Sequence, residues 1–315
     1  MFSFLLLGVL YCGNAFSQTE IAGSLNNHNT SVTAVGANYV EVASVTDFAA
    51  GDTILLIQMK GVRILTPETS SYGQYQTRTG SPGQHEFLII QSVLGAPDNR
   101  LTFTANLLNT YTPEGIVQVV KVRYFQSARV TGTLHSPEWN STTGTGGVLA
   151  LIVGGNLILD ADIDMTGKGF EGGGISMGLG ECASLDAALR NRYSYDASSA
   201  YSGFKGEGVA ITNNTLIPIN PTFSKGRGAN LNSGGGGNGK FSGGGGGSNF
   251  GEGGVGELEP GECLDLDASG KGGRPILGTA IETGIFLGGG GGASTYLAGS
   301  TASPGARGGG IIIIV

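Results

Sequence analysis

The chain has few of the residues that carry chemistry. Only 13% of its 315 residues are charged, and it contains three histidines, three cysteines and one tryptophan. The net charge is −7 without a basic cluster, so the electrostatic footprint of a nucleic-acid partner is missing. His28, His85 and His135 are far apart and HExxH does not occur, while GxSxG occurs once, at residues 174–178 within a glycine-rich run. Zinc hydrolysis has no visible machinery, and one GxSxG match among so many glycines is weak evidence for serine hydrolysis, so we expect no enzyme activity.

The chain also lacks an apolar run long enough to cross a membrane. The stretch Phe2–Leu10 has about nine apolar residues, whereas a span takes about 20. With small residues at Ala15 and Ser17, this stretch is typical of a signal peptide. We expect residues 1–17 to be removed, no membrane span, and a location that is secreted or at the outer cell surface. The usual basic start is missing, since the first basic residue is Lys60.

What the chain has is glycine, unevenly distributed. Fifteen of the 59 glycines lie in residues 1–147 and 44 in residues 148–315. The glycine-poor part contains short β-rich runs separated by turn residues, a spacing typical of an antiparallel sandwich or barrel. We therefore predict an all-β fold with a β-rich sandwich or barrel-like domain at residues 18–135. The predicted strands are 39–45, 53–59, 86–93, 100–105, 116–122 and 128–134.

Two segments of this domain carry further predictions. The run Ile54–Ile57 is apolar on both faces and indicates a central strand. The stretch Thr66–Gln84 is rich in Ser, Thr, Gly and Gln, and indicates a mobile surface loop.

Residues 136–315 form a second, glycine-rich region. Every glycine costs backbone entropy to order, so disorder is one interpretation. Against it stand interleaved apolar segments such as Ile276–Ile281 and Ile311–Val315, which a solvated linker would not carry. We predict β-helix-like rungs joined by glycine-rich loops, or left-handed polyglycine segments side by side. Because Ile311–Val315 would be a bare apolar edge, we expect truncation and further domains in a longer chain.

Two nucleotide-like motifs are excluded by their context. Gly167–Gly172 matches GxGxxG after a strand, but more glycines follow where a phosphate-binding helix should begin. Gly234–Lys240 has a phosphate-loop spacing, but Phe241 replaces the Ser or Thr that binds magnesium. We expect no nucleotide cofactor.

One acidic pattern is a candidate metal site. Asp160, Asp162 and Asp164 alternate with apolar residues, so a strand would project all three carboxylates from one face. Their oxygens could bind calcium, and the sequence suggests no other cofactor. This is not an EF-hand loop, because Met165 occupies the glycine position. The alternative is a solvated strand face that also discourages edge pairing.

Two cysteines remain once Cys12 is removed with the signal peptide. Cys182 and Cys263 each stand in the sequence Gly-Glu-Cys, downstream of a segment of phenylalanine and glycine. The two contexts resemble a degenerate internal repeat. Export makes a Cys182–Cys263 disulfide the default expectation. Two unpaired buried thiols are the alternative.

Three segments carry a family resemblance: FAAGDTILLIQMKG (Phe48–Gly61), GVLALIVGGNLILDADIDMTGKGFEGG (Gly147–Gly173) and GGGIIIIV (Gly308–Val315). Together the chain resembles the N-terminal region of large glycine-rich surface proteins of gliding Bacteroidota, chiefly over residues 36–175. The resemblance implies a signal peptide, a β-rich leader, a glycine-rich repeat region and a type IX sorting domain associated with gliding motility. That sorting domain is absent from these 315 residues, in line with the expected truncation. The family assigns no catalytic residues here.

The resulting hypothesis is an extracellular structural or adhesive surface module that contacts a surface or polysaccharide. The alternative is a carbohydrate-active β-helix enzyme or a carbohydrate-binding module, which needs paired carboxylates or stacking aromatics. The aromatics considered for sugar stacking are Trp139, Tyr193, Tyr195 and Tyr201. For each of them, packing or loop anchoring is the competing interpretation. The sequence does not identify the ligand-contact residues.

Overall fold

The structure, a computed structural model, describes residues 18–177, 191–211, 225–239, 242–257, 268–296 and 303–315. The fold is all-β, as predicted. The expected signal peptide lies outside the described residues. No described helix is long and apolar enough to cross a membrane. Besides a 3₁₀ turn at Pro113–Gly115, the regular elements are β1 (Thr19–Ser24), β2 (Asn29–Val35), β3 (Tyr39–Val42), β4 (Thr53–Gln58), β5 (Val62–Ile64), β6 (Tyr75–Arg78), β7 (His85–Leu94), β8 (Arg100–Phe103), β9 (Val117–Phe125), β10 (Ala128–His135), β11 (Val148–Val153), β12 (Leu157–Leu159), β13 (Ser176–Met177), β14 (Thr295–Tyr296) and β15 (Ile311–Ile314).

Six antiparallel strands close into a barrel, in the order β9, β2, β3, β8, β7, β4 and back to β9. Closure leaves none of these strands without a partner. Strand β4 is central, as predicted: Ile54 and Leu56 face the barrel interior, while Leu55 and Ile57 face a second core outside it. All four are fully buried. The interior is filled by Val32, Val40, Val42, Phe48, Ile54, Leu56, Leu88, Ile90, Leu101, Phe103, Tyr111, Val117 and Val119.

Outside the barrel the pairing is parallel. From the sequence, β-helix-like rungs were expected only from residue 136 onward, but the parallel ladders already include β1, β9 and β10. The chain turns a corner at Gln126–Ser127 and another at Gly154–Gly155, so successive strands stack instead of folding back. One ladder contains β9, β11 and β15, and the other contains β1, β10 and β12. The antiparallel arrangement predicted for residues 128–134 is therefore wrong. The core between the ladders contains Ile21, Leu25, Phe125, Ala128, Val130, Leu134, Leu149, Leu151 and Met165.

A third core joins the barrel to the glycine-rich region. It combines Leu55 of β4 with Trp139, Phe170, Leu231 and Phe286. The barrel and the glycine-rich region are therefore packed on a shared apolar interface.

The segment predicted as a mobile surface loop, Thr66–Gln84, contributes to this interface. It contains β6, which pairs with β5, and Tyr72, which is 1% exposed. A surface loop is the wrong description for Tyr72.

Glycine segments pack against one another through backbone hydrogen bonds. The segment 288–293 shows how this packing works. Its successive amides donate hydrogen bonds to three neighbouring segments in turn, so that every third amide donates to the same segment. A period of three residues is that of a left-handed polyproline II-type helix. The amides from 288 to 293 donate in order to the carbonyl oxygens of Gly309, Ser248, Glu207, Ala306, Gly245 and Phe204.

At several positions of this packing the contacts leave no room for a Cβ atom. A Cβ atom built on Gly290 would collide with the carbonyl oxygen of Glu171, and one on Gly292 with that of Gly235. Glycine is required there because neighbouring backbones touch. A repeat of rungs throughout residues 136–315 stays a prediction.

Candidate functional site

Trp139 is a core residue. It is 0% exposed, and its ring meets Phe170 edge-on at 5.5 Å between centroids. Its Nε1 donates to Glu207 Oε2 at 2.9 Å, while Lys60 Nζ lies 2.5 Å from Glu207 Oε1. The indole thus has its hydrogen-bond partner inside the protein. The sugar-stacking hypothesis is wrong for Trp139, and the packing alternative is correct.

The three tyrosines considered for stacking are gathered in one place. Tyr195 and Tyr201 have ring centroids 6.3 Å apart, and Tyr193 stacks on Tyr72 at 5.9 Å. We call these four residues the tyrosine cluster. Tyr195 is 5% exposed and Tyr72 is buried, whereas Tyr201 is 39% exposed. Tyr201 is therefore the ring of the cluster that a ligand could reach most readily.

The segment carrying these tyrosines is fixed by Glu68, which lies more than a hundred residues earlier. The Glu68 carboxylate accepts hydrogen bonds from the amides of Tyr193, at 2.6 Å, and Ser194, at 3.1 Å, and from the Ser194 hydroxyl. Glu68 and Tyr72 both belong to the stretch predicted as a surface loop. Sequence reasoning missed them because no local pattern links positions so far apart.

A buried lysine lies beneath the cluster. Lys205 Nζ donates to the carbonyl oxygens of Tyr193 and Gly228, both at 2.6 Å, and lies 3.9 Å from the Tyr72 ring centroid. Burial lowers the pKa of Lys205 well below its ordinary value, and the charge of Glu68 opposes this only in part. Burial, aided by Glu68, raises the pKa of Tyr72. The base of the cluster is packed and hydrogen-bonded.

The outer side of the cluster presents a ring and a cation. The Arg192 guanidinium lies 4.9 Å from the Tyr195 ring centroid, and Asn238 Nδ2 donates to the Arg192 carbonyl oxygen at 2.8 Å. Burial raises the pKa of Tyr195 to about 12, so its hydroxyl is uncharged at neutral pH. Tyr201 offers a flat apolar face and Arg192 offers hydrogen-bond donors. This combination can stack on a sugar ring and donate hydrogen bonds to it.

The three aspartates of the predicted calcium site share one exposed face, as the alternation indicated. Asp160 forms an ion pair with Arg129 of β10. Asp164 Oδ1 accepts a hydrogen bond from the Thr166 amide at 2.8 Å, and hydrogen bonding by Thr166 lowers the pKa of Asp164. Asp162 is exposed. No group of three metal-binding side chains occurs in the described part of the chain, and calcium binding by this face stays a prediction.

Of two further predictions, one can be placed. Within the predicted nucleotide-like motif, the amides of Gly169 and Phe170 donate to Gly308 and Gly288, so the motif belongs to the glycine packing. Cys182 and Cys263 lie outside the described residues, and the disulfide stays a prediction.

A pair of carboxylates also converges near the third core. Arg307 Nη2 lies 3.3 Å from Glu171 Oε1 and 3.8 Å from Glu138 Oε1. Glu171 accepts a further hydrogen bond from the Ser141 hydroxyl at 3.0 Å. Both carboxylates are at the surface, with side-chain exposures of 59% for Glu138 and 38% for Glu171.

Comparison with known proteins gives no family. No family model and no curated protein matches the chain. Among solved structures, the chain is similar to the tailspike protein gp49 from Pseudomonas phage LKA1, with 16% identity and a TM-score of 0.22. It is also similar to the Gp54 tailspike of Acinetobacter baumannii bacteriophage AP22, solved with a capsular saccharide, with 13% identity and a TM-score of 0.22. These matches cover 48% and 46% of this chain, but only 24% and 20% of the tailspikes. At such scores they carry no functional argument.

Proposed function

We propose that the protein is an extracellular structural and adhesive module that binds a polysaccharide and does not cleave it. The observation that supports this proposal is the tyrosine cluster. Tyr201 is exposed on a segment that hydrogen bonds with Glu68 and Lys205 hold in place. Rigid aromatic faces bind at a small entropic cost, because little is left to order on binding. The close-packed glycine segments supply the rigid support that a display module needs.

Binding is tested with immobilised polysaccharides, both neutral (dextran) and acidic (alginate), and the purified chain in solution. We expect Tyr201→Ala to weaken binding about tenfold, the contribution expected of one aromatic contact. Tyr124→Ala is the matched control, since Tyr124 is also exposed but lies on β9. Equal binding by both variants and the parent chain would remove Tyr201 from the proposal.

A carbohydrate-active enzyme is the second candidate, and the observation that favours it is the convergence of Glu138 and Glu171 on Arg307. Two facing carboxylates are the machinery of most glycoside hydrolases. In this chain both are engaged with the same guanidinium, which favours a structural ion pair. Release of reducing ends from dextran or alginate, abolished by Glu171→Gln, would establish the enzyme. We expect no release.

A further inference from the structure

A motif for asparagine-linked glycosylation lies on a surface turn between β10 and β11. The motif is Asn-X-Ser/Thr, in which X is not proline, and it marks asparagines that accept an oligosaccharide in exported proteins. The sequence contains it three times, at Asn29, Asn140 and Asn213. Asn213 lies outside the described residues. The settings of the other two can be compared directly.

Asn140 organises the turn at residues 140–145. Its amide donates to the Thr145 carbonyl oxygen at 2.9 Å, and the Gly144 amide donates to the Asn140 carbonyl oxygen at 2.8 Å. Its side-chain Oδ1 accepts hydrogen bonds from the amides of Thr142, at 2.9 Å, and Thr143, at 3.0 Å. Asparagine commonly holds turns through such side-chain bonds to its own backbone. The conformation of Asn140 is therefore fixed through its oxygen.

This arrangement leaves the acceptor nitrogen available. Both partners of the Asn140 side chain are N–H donors, so the carboxamide oxygen faces them and Nδ2 lies on the other side. Asn140 and Thr142 are both exposed. Within the described part of the chain, neither Asn140 Nδ2 nor the Thr142 hydroxyl makes a hydrogen bond. The two groups that define the motif, the amide nitrogen and the hydroxyl two residues later, are thus both accessible to an enzyme.

The motif at Asn29 has the opposite setting. Asn29 begins β2, which pairs with β3 on one side and β9 on the other. Its Nδ2 donates to the Asn26 carbonyl oxygen at 3.2 Å, and the next residue, Thr30, is buried. An enzyme would have to unpair a central strand of the barrel to reach this nitrogen. The fold therefore presents one copy of the motif and protects the other.

We propose that Asn140 is an N-glycosylation site, modified in the exported protein by an oligosaccharyltransferase that uses an oligosaccharide linked to a lipid pyrophosphate. In this reaction Asn140 Nδ2 forms a bond to the anomeric carbon of the first sugar and loses one proton. The bond between that carbon and the pyrophosphate oxygen breaks, and the lipid pyrophosphate leaves with the electron pair. The inference rests on the export that the proposed function includes, and it is independent of the tyrosine cluster.

The first test uses the purified, folded full chain, a single-subunit oligosaccharyltransferase and its lipid-linked oligosaccharide. Mass spectrometry of proteolytic peptides reports which asparagine is modified. We expect the peptide that contains Asn140 to gain the mass of the oligosaccharide, and the peptide that contains Asn29 to remain unmodified. Absence of transfer to Asn140, or equal transfer to Asn29, overturns the proposal.

Variants of the motif separate recognition from folding. Thr142→Ala removes the hydroxyl but keeps the amide that donates to Asn140 Oδ1, so the turn should remain while transfer to Asn140 is lost. Thr142→Ser keeps a hydroxyl and should keep transfer. Asn140→Gln should also lose transfer, and Asn29→Gln is the matched control that should not change it. Transfer to Asn140 that persists in Thr142→Ala overturns the assignment.

The second test uses the protein secreted by its own cells. Peptide mass spectrometry should find Asn140 carrying sugar, and a secreted chain with unmodified Asn140 overturns the proposal. A chain retained in the cytoplasm would instead contradict the export on which both proposals depend. Polysaccharide binding is measured separately, and Asn140→Gln should bind dextran and alginate as the parent chain does. A failure of either proposal is thus distinguished from a failure of the other.

Discussion

At the scale of single residues, buried polar groups tie the glycine-rich region to the barrel. Lys60 and Glu207 form a buried ion pair, and Lys205 caps two carbonyl oxygens beneath Tyr72. Removing one partner of such an ion pair or hydrogen bond leaves the other polar group unpaired in the protein interior, which solvates charge poorly. Both lysines are therefore structural groups, and burial lowers the pKa of Lys205.

Lys205 should make stability depend on pH. Its folded-state pKa is lowered by burial, whereas in the unfolded chain it returns to about 10.4. Between these two values the unfolded state binds the extra proton, so the free energy of unfolding should rise with pH. Below the folded-state pKa, the destabilisation caused by burying the charge of Lys205 is fully present, and above about pH 10.4 it is gone. We expect the parent chain to gain up to about 1.4 kcal/mol per pH unit relative to Lys205→Met.

The measurement is urea denaturation of the parent chain and Lys205→Met from pH 7 to 9.5. Tyrosine ionisation in the unfolded chain begins to contribute near pH 10, which sets the upper limit. The loss of two hydrogen bonds in the variant shifts its stability at every pH, and only the difference in slope reports the titration. Parallel curves would show that Lys205 binds its proton equally in both states.

At the scale of elements, the glycine segments should tolerate a methyl group only where space allows it. Gly290→Ala places a Cβ against the Glu171 carbonyl oxygen, and we expect it to cost about 2 to 3 kcal/mol of unfolding free energy. Gly309→Ala is the matched control, because a Cβ there meets nothing within 4 Å. It should be neutral or add about 0.5 kcal/mol, since alanine restricts the unfolded chain. Chemical denaturation measures both, and similar losses would contradict the close packing of segment 288–293.

The same elements show what sequence could and could not predict. Periodicity placed β4 correctly as a two-sided central strand, because four apolar residues in succession require burial on both faces. β-helix-like rungs were predicted only beyond residue 136, and the extension of the parallel ladders to β1, β9 and β10 escaped prediction, since a corner at Gln126–Ser127 and a hairpin turn look alike in sequence. The order of the glycine segments has no side-chain pattern at all, because it consists of main-chain bonds with a period of three.

The candidate site was predicted only in part, for a related reason. Tyr193, Tyr195 and Tyr201 are close in sequence and were grouped correctly as aromatic residues of one segment. Their support by Glu68 and Tyr72 depends on contacts across more than a hundred residues. Trp139 was a stacking candidate by residue type, but burial against Phe170 decided its role.

At the scale of the whole molecule, the direction of the glycine segments bears on the predicted disulfide. The segment 170–173 runs parallel to 288–293, since Phe170 and Gly173 donate to Gly288 and Gly291. The segment 252–257 also runs parallel to 288–293, because it is antiparallel to 243–248, which is itself antiparallel to 288–293. The described segments that precede Cys182 and Cys263 thus leave the packed glycine region in the same direction, at the same end.

We therefore expect protein secreted into an oxidising compartment to contain the Cys182–Cys263 bridge, detected by peptide mass spectrometry without reduction. Closing a loop of about 80 residues restricts the unfolded chain and is worth up to about 4.5 kcal/mol. The paired variant Cys182→Ser with Cys263→Ser should lose a substantial part of that stability, and a reductant should destabilise the parent chain but not the variant. Two free thiols in the secreted protein, titrated after unfolding, would establish the unpaired alternative. In that case the glycine region would depend for its order on main-chain hydrogen bonds and on the core it shares with the barrel.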